Sequence, residues 1–228
     1  MAKFSKRQEY SSTLQEKKYG INEAVEFLKS APKANFEESI DVAINLGIDS
    51  SKSDQNVRSA TSLPAGTGKP CKVAVFAEAD LAKDATEAGA DVVGMEDLAA
   101  KFKNGDSDYD VVIATPDTMR IVIPLGKILG PKGLMPNPKL GTVTNKIDEA
   151  VKNAKTGQVE IKNDKDGNVG LSIGKKNFSD QNLIKNFNSI LETIVKEKPS
   201  GIKGNFIKSA FITSTMGVSY KLKLEKNI

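Results

Sequence analysis

CKVAVFAEADLAKDATEAGADVVGMEDLAAKFKNGDSDYDVVIAT, Cys71–Thr115, decides the fold. Three short apolar runs, CKVAVFAE, ADVVG and DYDVVIAT, alternate with segments of helical grammar. Continuous apolar runs of this length mark strands covered on both faces. LAKDATEAG reads as a helix capped by Asp80 and stopped by Gly89, and MEDLAAKFKNG as a second helix ending in Asn-Gly. A third, PDTMRIVIPLGKIL, opens at Pro116, where proline is tolerated, and is kinked by Pro124. Strand and helix in strict alternation predict parallel βαβ units and a Rossmann-like α/β domain. No GxGxxG or GxxxxGK[ST] motif follows a strand, and GTGK at Gly66–Lys69 precedes one, so a nucleotide site is disfavoured. A Rossmann-like fold by itself implies no function.

Outward from this stretch the pattern changes. Toward the N-terminus, Ile40, Val42, Ile44, Leu46 and Ile48 alternate with polar or small residues, which predicts a strand with one buried face. Before it, Asn22 is placed to cap the helix NEAVEFLKS, with Ala24, Val25 and Leu28 as its buried stripe and Pro32 as its stop. Residues 3–18, with Lys3, Lys6, Arg7, Lys17 and Lys18, read as a loosely helical basic arm. DSSKSDQNVRSATSLPAGTGKP is a polar connection. Toward the C-terminus, Asn145 caps KIDEAVKNAKTG, and QVEIKNDKDGNVGLSIGKK reads as a hairpin turning at Asp164–Asn168. Ser179 caps a long helix striped by Leu183, Ile184, Phe187, Ile190, Leu191, Ile194 and Val195. FIKSAFITSTMGVSYKLKL is strand-like with an interruption at Met216–Gly217.

The helix stripe needs a sheet and the early strand needs neighbours, so the two are expected to meet. The predicted fold is mixed α/β. A discontinuous α+β domain, residues 1–67 and 159–228, surrounds an antiparallel sheet. Residues 68–158 form an inserted, Rossmann-like three-layer α/β domain. Two crossings, near Gly66–Lys69 and Thr156–Val159, make a natural hinge.

Composition narrows the function classes. With no histidine, Ser-His and Cys-His nucleophiles and His-ligated zinc are excluded. One cysteine, Cys71, leaves no internal disulfide and fits a reducing, cytoplasmic setting. No run of about 18 apolar residues predicts a membrane span, and MAKFSKRQEYSS lacks the apolar core of a signal peptide. The net charge of +4 is unevenly spread: Val159–Ile228 carries 12 basic and 7 acidic residues. That excess favours an anionic partner, most simply a nucleic acid, although a solvated lysine-rich surface gives the same count.

Three places carry candidate chemistry. GKILGPKGLMPNPKLGTVT, Gly126–Thr144, is too rich in glycine and proline for a helix or strand from about Gly130 to Leu140. Leu134, Met135 and Leu140 give it apolar anchors, and Lys132 and Lys139 give it charge. Both a plain connector and a partner-facing loop fit these residues. STMG, Ser214–Gly217, offers hydroxyls with the neighbouring Thr213, a glycine that permits close approach, and the adaptable Met216. Read on its residues alone, a β-bulge with Met216 in the core is the simpler account. Phe36, before the strand at Ser39, is either a base-stacking aromatic or a core plug. Lys162, Lys175 and Lys176 flank the hairpin and are either phosphate ligands or solvated lysines. The rival class is an enzyme with a nucleotide in the Rossmann-like domain and carboxylates such as Asp80 and Asp117. A protein-only scaffold built on the Met/Pro loop is the third.

GPKGLMPNPKLGTV resembles the signature segment of the L-one family, the universal large-subunit ribosomal proteins of the lateral stalk at the tRNA exit site. INEAVEFLK, ESIDVAINLGID, KSDQNVR, VGMEDLA, DVVIATPD, NAKTGQVEIKNDKDG and the closing STMG are similar to the bacterial type in the same order. Departures are Asn35 where lysine is common, Ala65 and Gly170 where histidine is common, and Val218 after TMG. The resemblance implies a non-enzymatic RNA-binding protein without cofactor or metal, monomeric off the ribosome. Its partners would be large-subunit rRNA, its own operon mRNA, which it would repress, and exit-site tRNA, whose release it would assist. It implies rRNA contacts at Phe36, Ser39, Thr215, Met216 and Gly217. With the adjoining hydroxyls and hairpin lysine, the candidate rRNA-binding set is Phe36, Ser39, Lys162, Thr213, Ser214, Thr215, Met216 and Gly217. The second, RNA- or tRNA-facing loop is Lys132, Gly133, Met135 and Lys139.

Overall fold

The computed structural model describes residues 17–32, 34–52, 54–105, 108–199, 201–202 and 204–224, with residues 79 and 80 described by their backbone alone. Most of the basic arm expected over residues 3–18 lies outside them. In chain order the elements are α1 (Ile21–Ser30), β1 (Ser39–Leu46), β2 (Arg58–Ser62), β3 (Val73–Phe76), α2 (Ala79–Glu87), β4 (Val92–Gly94), α3 (Glu96–Lys103), β5 (Val111–Ala114), α4 (Met119–Val122), α5 (Gly126–Leu129), α6 (Ile147–Thr156), β6 (Gln158–Lys162), β7 (Asn168–Lys175), α7 (Asp180–Lys196), β8 (Ile207–Ser214) and β9 (Tyr220–Lys221). The chain divides into two compact units, Met1–Gly68 with Ile161–Ile228, and Lys69–Glu160.

The unit Lys69–Glu160 is built on a parallel sheet of order β4-β3-β5. Ala74 lies opposite Val92, and Val73 opposite Val111. All four residues of β3 are buried because both faces are covered. Ala74, Phe76, Val112 and Ala114 carry Leu98, Ala99 and Phe102 of α3 and Val122, Leu125 and Leu129 of the segment after β5. Val73, Val75 and Ile113 carry Ala85 of α2 and Ile147, Ala150, Val151 and Ala154 of α6. This is the three-layer α/β arrangement that the apolar runs require.

Several local expectations are corrected. α2 begins at Ala79 with Glu78 as its N-cap, so Asp80 lies in the first turn and is not the cap. Pro116 stands in a turn and does not open a helix. A buried hydroxyl pair makes that turn: the Thr115 amide donates to Thr118 Oγ1 at 3.1 Å, and Thr118 Oγ1 donates to the Phe76 carbonyl at 2.9 Å. Helix resumes only at Met119, and around Pro124 it tightens to a 3₁₀ turn, Ile123–Leu125, before α5. α6 has Lys146 as its N-cap; the Lys146 amide is held by Thr144 Oγ1 at 3.1 Å, and Asn145 is not the cap.

The other unit has an antiparallel sheet of order β7-β1-β8-β9. Ile40, Val42, Ile44 and Leu46 of β1 point to one face, with Leu171, Ile173, Ala210 and Ile212 from its neighbours. α1 covers that face with Ala24, Val25 and Leu28, and α7 with Leu183, Phe187, Ile190 and Ile194. Ser179 caps α7 as expected, its Oγ accepting from the Asn182 amide at 3.3 Å. Asn22 does not cap α1: the helix starts one residue earlier, at Ile21, with the Gly20 carbonyl accepting from the Ala24 amide at 2.9 Å.

Two features of this unit differ from the expected pattern. Val195 is exposed, and the stripe of α7 instead includes the fully buried Asn186. Its amide accepts from the Ala65 N–H at 3.0 Å and donates to the carbonyls of Gly66 at 3.0 Å and Ile173 at 2.8 Å. It pins the Leu63–Gly66 turn to the sheet. β6 and β7 are not a regular hairpin. The junction between them is closed by the bridge between Asn163 and Val169 and by the Asp164 amide, which donates to the Asn168 carbonyl at 2.8 Å; β7 then joins β1 while β6 joins β2.

Candidate nucleic-acid interface

Strand alternation leaves one face of the four-stranded sheet to solvent, because both helices lie on the other. The register sets its rows. Asp41 lies between Ser172 and Thr213, Ala43 between Gly170 and Phe211, and Asn45 between Asn168 and Ser209. Phe211 is followed across the sheet by Lys221, whose ammonium sits 5.7 Å from the ring centroid. The face is therefore small, polar and hydroxyl-bearing, with one aromatic platform at its centre. Phe211 was missed in the sequence reading. Its signal was there, since it alternates with Ser209 and Thr213 on the polar side of β8.

At one end of this face, β1 begins at Ser39 and β8 ends at Ser214. The chain then reverses into β9, with Ile212 opposite Tyr220. The interruption at Met216–Gly217 is a hairpin loop, neither a β-bulge nor a break in one strand. Three bonds tie it to the start of β1. The Ser39 amide donates to Thr215 Oγ1 at 3.0 Å, the Thr215 amide to the Ser39 carbonyl at 3.0 Å, and Thr215 Oγ1 to the same carbonyl at 3.3 Å. Lys175 Nζ reaches Ser39 Oγ at 3.1 Å. Thr213 Oγ1 donates to the Ser214 carbonyl at 3.0 Å.

Beneath the loop lies Glu38, only 2% exposed. Its Oε1 accepts from Ser214 Oγ and from the Met216 amide, both at 3.2 Å. Its Oε2 accepts from Lys176 Nζ at 3.1 Å, and Lys176 also reaches the Ala31 carbonyl at 3.2 Å. Burial pushes the Glu38 carboxyl up; the Lys176 hydrogen bond, the Met216 amide, the Lys176 charge and the Ser214 hydroxyl outweigh it and hold the carboxyl below its ordinary value. Gly217 completes the loop. A Cβ there would fall 2.3 Å from Ser214 Oγ, so only glycine lets that hydroxyl reach Glu38 undisturbed.

The result is a rigid base with an apolar display. Phe36 is 53% exposed on the segment that leads into Glu38 and Ser39, and Met216 is 57% exposed on the loop itself. Neither is a core residue, which removes the core-plug reading of Phe36 and the buried reading of Met216. Ser39, Thr213, Ser214, Thr215, Met216 and Gly217 are brought together. Ser214 faces inward, 2% exposed, and serves the loop. Lys176 is committed to Glu38, with its side chain 11% exposed, and is not a phosphate-facing lysine. Lys162 is set apart. It precedes Asn163, which bridges to Val169 opposite Ile44, so it lies toward the far end of β1, about 16 Å of strand from Ser39.

In the other unit the glycine- and proline-rich loop is a held shape. Leu134 and Met135 pack partly against the α3 face of the sheet, so Met135 is an anchor more than a display. Asn137 organises the tip: its Oδ1 accepts from the Lys139 amide at 2.9 Å, and its amide donates to Thr142 Oγ1 at 2.8 Å. Thr142 in turn accepts Ala114 at the end of β5, through its carbonyl, at 2.9 Å. Gly133 takes a left-handed φ of 74°, which turns the chain between the exposed Lys132 and the anchors. Lys139 is exposed on the 3₁₀ turn Pro138–Leu140.

The fold defines a two-unit α/β protein. Residues 28–218 match the Ribosomal protein L1p/L10e family. The chain is 54% identical over 222 residues to the large ribosomal subunit protein uL1 of Colwellia psychrerythraea, covering 95% of this chain and 94% of that one. It is 58% identical over 201 residues to uL1 of Proteus mirabilis, covering 88% and 86%. With uL1 of Neisseria gonorrhoeae it shares 53% over 224 residues, covering 97% of each. The chain belongs to the ribosomal protein L1p/L10e family, and so is a structural ribosomal protein and not an enzyme. The nucleotide-dependent enzyme considered from the sequence is set aside. Among the described residues no helix is long and apolar enough to cross a membrane.

Proposed function

We propose that this chain is a structural component of the large ribosomal subunit that binds rRNA through the sheet-and-loop end of its discontinuous unit. The observation that carries the reading is the pair Phe36 and Met216, held more than half exposed above a buried, ion-paired base. Large apolar side chains displayed on an anchored loop and on the segment before β1 favour stacking or packing against bases and sugars. The hydroxyl of Thr215 and the backbone of Gly217 provide partners for ribose 2′-OH and phosphate. Phe211 and Lys221 extend the surface along the open sheet face. The basic excess of Val159–Ile228 adds a phosphate-attracting field.

The same surface would bind a mimic of the rRNA site in the chain's own operon mRNA and repress its translation. The other unit would meet exit-site tRNA and assist its release. Two observations support that assignment: the resemblance of GPKGLMPNPKLGTV, and the stretch from Thr118 to Ile147, which contains Arg120, Lys127, Lys132, Lys139 and Lys146 and no acidic residue. The test is competition. An rRNA stalk-junction fragment should displace the leader mRNA from the chain, and Thr215→Val should weaken both together. Displacement of neither RNA by the other would oppose a shared site.

A further inference from the structure

Glu38 is a carboxylate buried beside a surface that we read as binding a polyanion. Its charge is matched by Lys176 and its two oxygens are fully engaged from below the loop. It also stands next to Ser39, whose amide and carbonyl hold Thr215. We propose that Glu38 is the positioning residue of this interface: it fixes the 214–217 loop so that Thr215 and Met216 are presented together, and it touches no RNA itself. The inference rests on the reading of Thr215 and Met216 as RNA-facing.

The physical argument is one of preorganisation. A hairpin loop of hydroxyls and glycine has many conformations, and ordering it on binding costs affinity. Glu38 Oε1 takes both the Met216 amide and the Ser214 hydroxyl, so one acceptor holds the backbone of the loop at Met216 and the side chain that enters it at Ser214. Lys176 then has a separate duty. It neutralises the carboxylate, so the buried charge neither destabilises the fold nor opposes phosphate. Acceptance by Oε1 is thus the positioning function, and the negative charge is incidental to RNA binding.

The test separates the acceptor from the charge. Two double variants of the full chain are compared, Glu38→Gln with Lys176→Met and Glu38→Ala with Lys176→Met. Neither strands a buried charge, and only the first retains an acceptor for Ser214 and Met216. Binding is measured against an rRNA stalk-junction fragment across a salt series, with Thr215→Val alongside. The Gln variant should bind within about threefold of the wild type and the Ala variant about tenfold more weakly or worse, a loss on the scale of one or two hydrogen bonds. The salt slope should be unchanged in both, because no phosphate contact is removed. A merely structural role would lower the melting temperature of the Ala variant and leave the affinity of its folded form intact.

Equal binding by the two double variants, with loss in Thr215→Val, overturns the positioning role and leaves the interface standing. Full binding by Thr215→Val overturns the interface on which the inference rests. Should the Ala variant not fold, Glu38→Asp decides. It keeps the charge and shortens the reach, so the Met216 amide should exchange with solvent faster and affinity should fall severalfold. Wild-type exchange and affinity in Glu38→Asp would overturn the proposal.

Discussion

Ser39 and Thr215 are joined three times: the Ser39 amide donates to Thr215 Oγ1 and the Thr215 amide to the Ser39 carbonyl, each at 3.0 Å, and Thr215 Oγ1 donates to that same carbonyl at 3.3 Å. The side chain of Thr215 therefore completes the start of β1 as well as facing outward. Thr215→Val removes the acceptor for the Ser39 amide and one of the two donors to the Ser39 carbonyl. Because the site is exposed, water can replace them, and the expected cost to stability is about 1 kcal/mol by urea unfolding. Thr215→Ser should cost less than half of that. A larger loss for Thr215→Ser than for Thr215→Val would mean that the methyl packing and not the hydroxyl matters.

Gly217 is needed for space, not for an unusual φ. An added Cβ would meet Ser214 Oγ at 2.3 Å, and rotating that hydroxyl away breaks its bond to Glu38. Gly217→Ala should destabilise the unit by about 1–3 kcal/mol, the cost of a buried polar group left without its partner. An unchanged thermal midpoint would contradict this geometry.

Acid should weaken this unit through Glu38. Its folded pKa is lowered, so its contribution is fully present above the ordinary glutamate value of about 4.3 and is lost as pH falls through the lower folded value. Asp164, held down first by the Asn168 amide, and Asp108, held down by Lys72, shift in the same direction, so acid sensitivity of the whole chain is not diagnostic. The comparison is with Glu38→Gln carrying Lys176→Met. Unfolding free energy from pH 7 to 3 should fall less steeply in that variant than in the wild type. Parallel curves would show that Glu38 contributes nothing to the acid response.

Asn186 is fully buried and makes three hydrogen bonds to the backbone of Ala65, Gly66 and Ile173. Asn186→Ala leaves those groups without their side-chain partner and opens a cavity, so a loss of about 3 kcal/mol or more is expected from denaturant unfolding. Asn186→Asp keeps the acceptor for Ala65 but presents a carboxylate to two carbonyls, and should be no more stable than the alanine variant. A loss under about 1 kcal/mol for alanine would show that the Leu63–Gly66 turn is held by other contacts.

The parts of the fold legible in the sequence were those written in apolar periodicity. β1 shows the alternation of Ile40 to Leu46 directly as buried and less buried positions, and β3 is buried throughout, as CKVAVFAE requires. β2 was not legible because RSATS has no apolar alternation. It packs through hydroxyls instead: Thr193 Oγ1 lies 2.9 Å from Thr61 Oγ1, and Ser189 Oγ donates to the Ser62 carbonyl at 3.3 Å. The caps assigned to Asn22 and Asn145 failed because the helices start elsewhere: α1 begins at Ile21, which puts Asn22 inside its first turn, and α6 begins at Ile147, which leaves Asn145 one residue ahead of the Lys146 N-cap.

The exposed half of the candidate site is read from the resemblance, and its foundation is not legible. Residue type alone leaves Phe36 between a base-stacking aromatic and a core plug, and makes a buried Met216 the simpler account. Glu38 reads as an ordinary charged residue next to Glu37, and its burial depends on Lys176, 138 positions away. Lys176 itself looked like a phosphate ligand for the same reason. Asn186 was hidden within an apolar helix stripe. Each is a polar residue whose role is set by a long-range partner, and local pattern carries no record of that.

Binding of the full chain to an rRNA stalk-junction fragment across a salt series, with Thr215→Val beside the wild type, tests the central claim most directly. The expected result is tight wild-type binding that falls by about tenfold or more in the folded variant, a loss of about 1.4 kcal/mol, with little change in salt slope. Unchanged affinity in Thr215→Val would contradict the interface proposed at the Ser39–Thr215 end of the sheet.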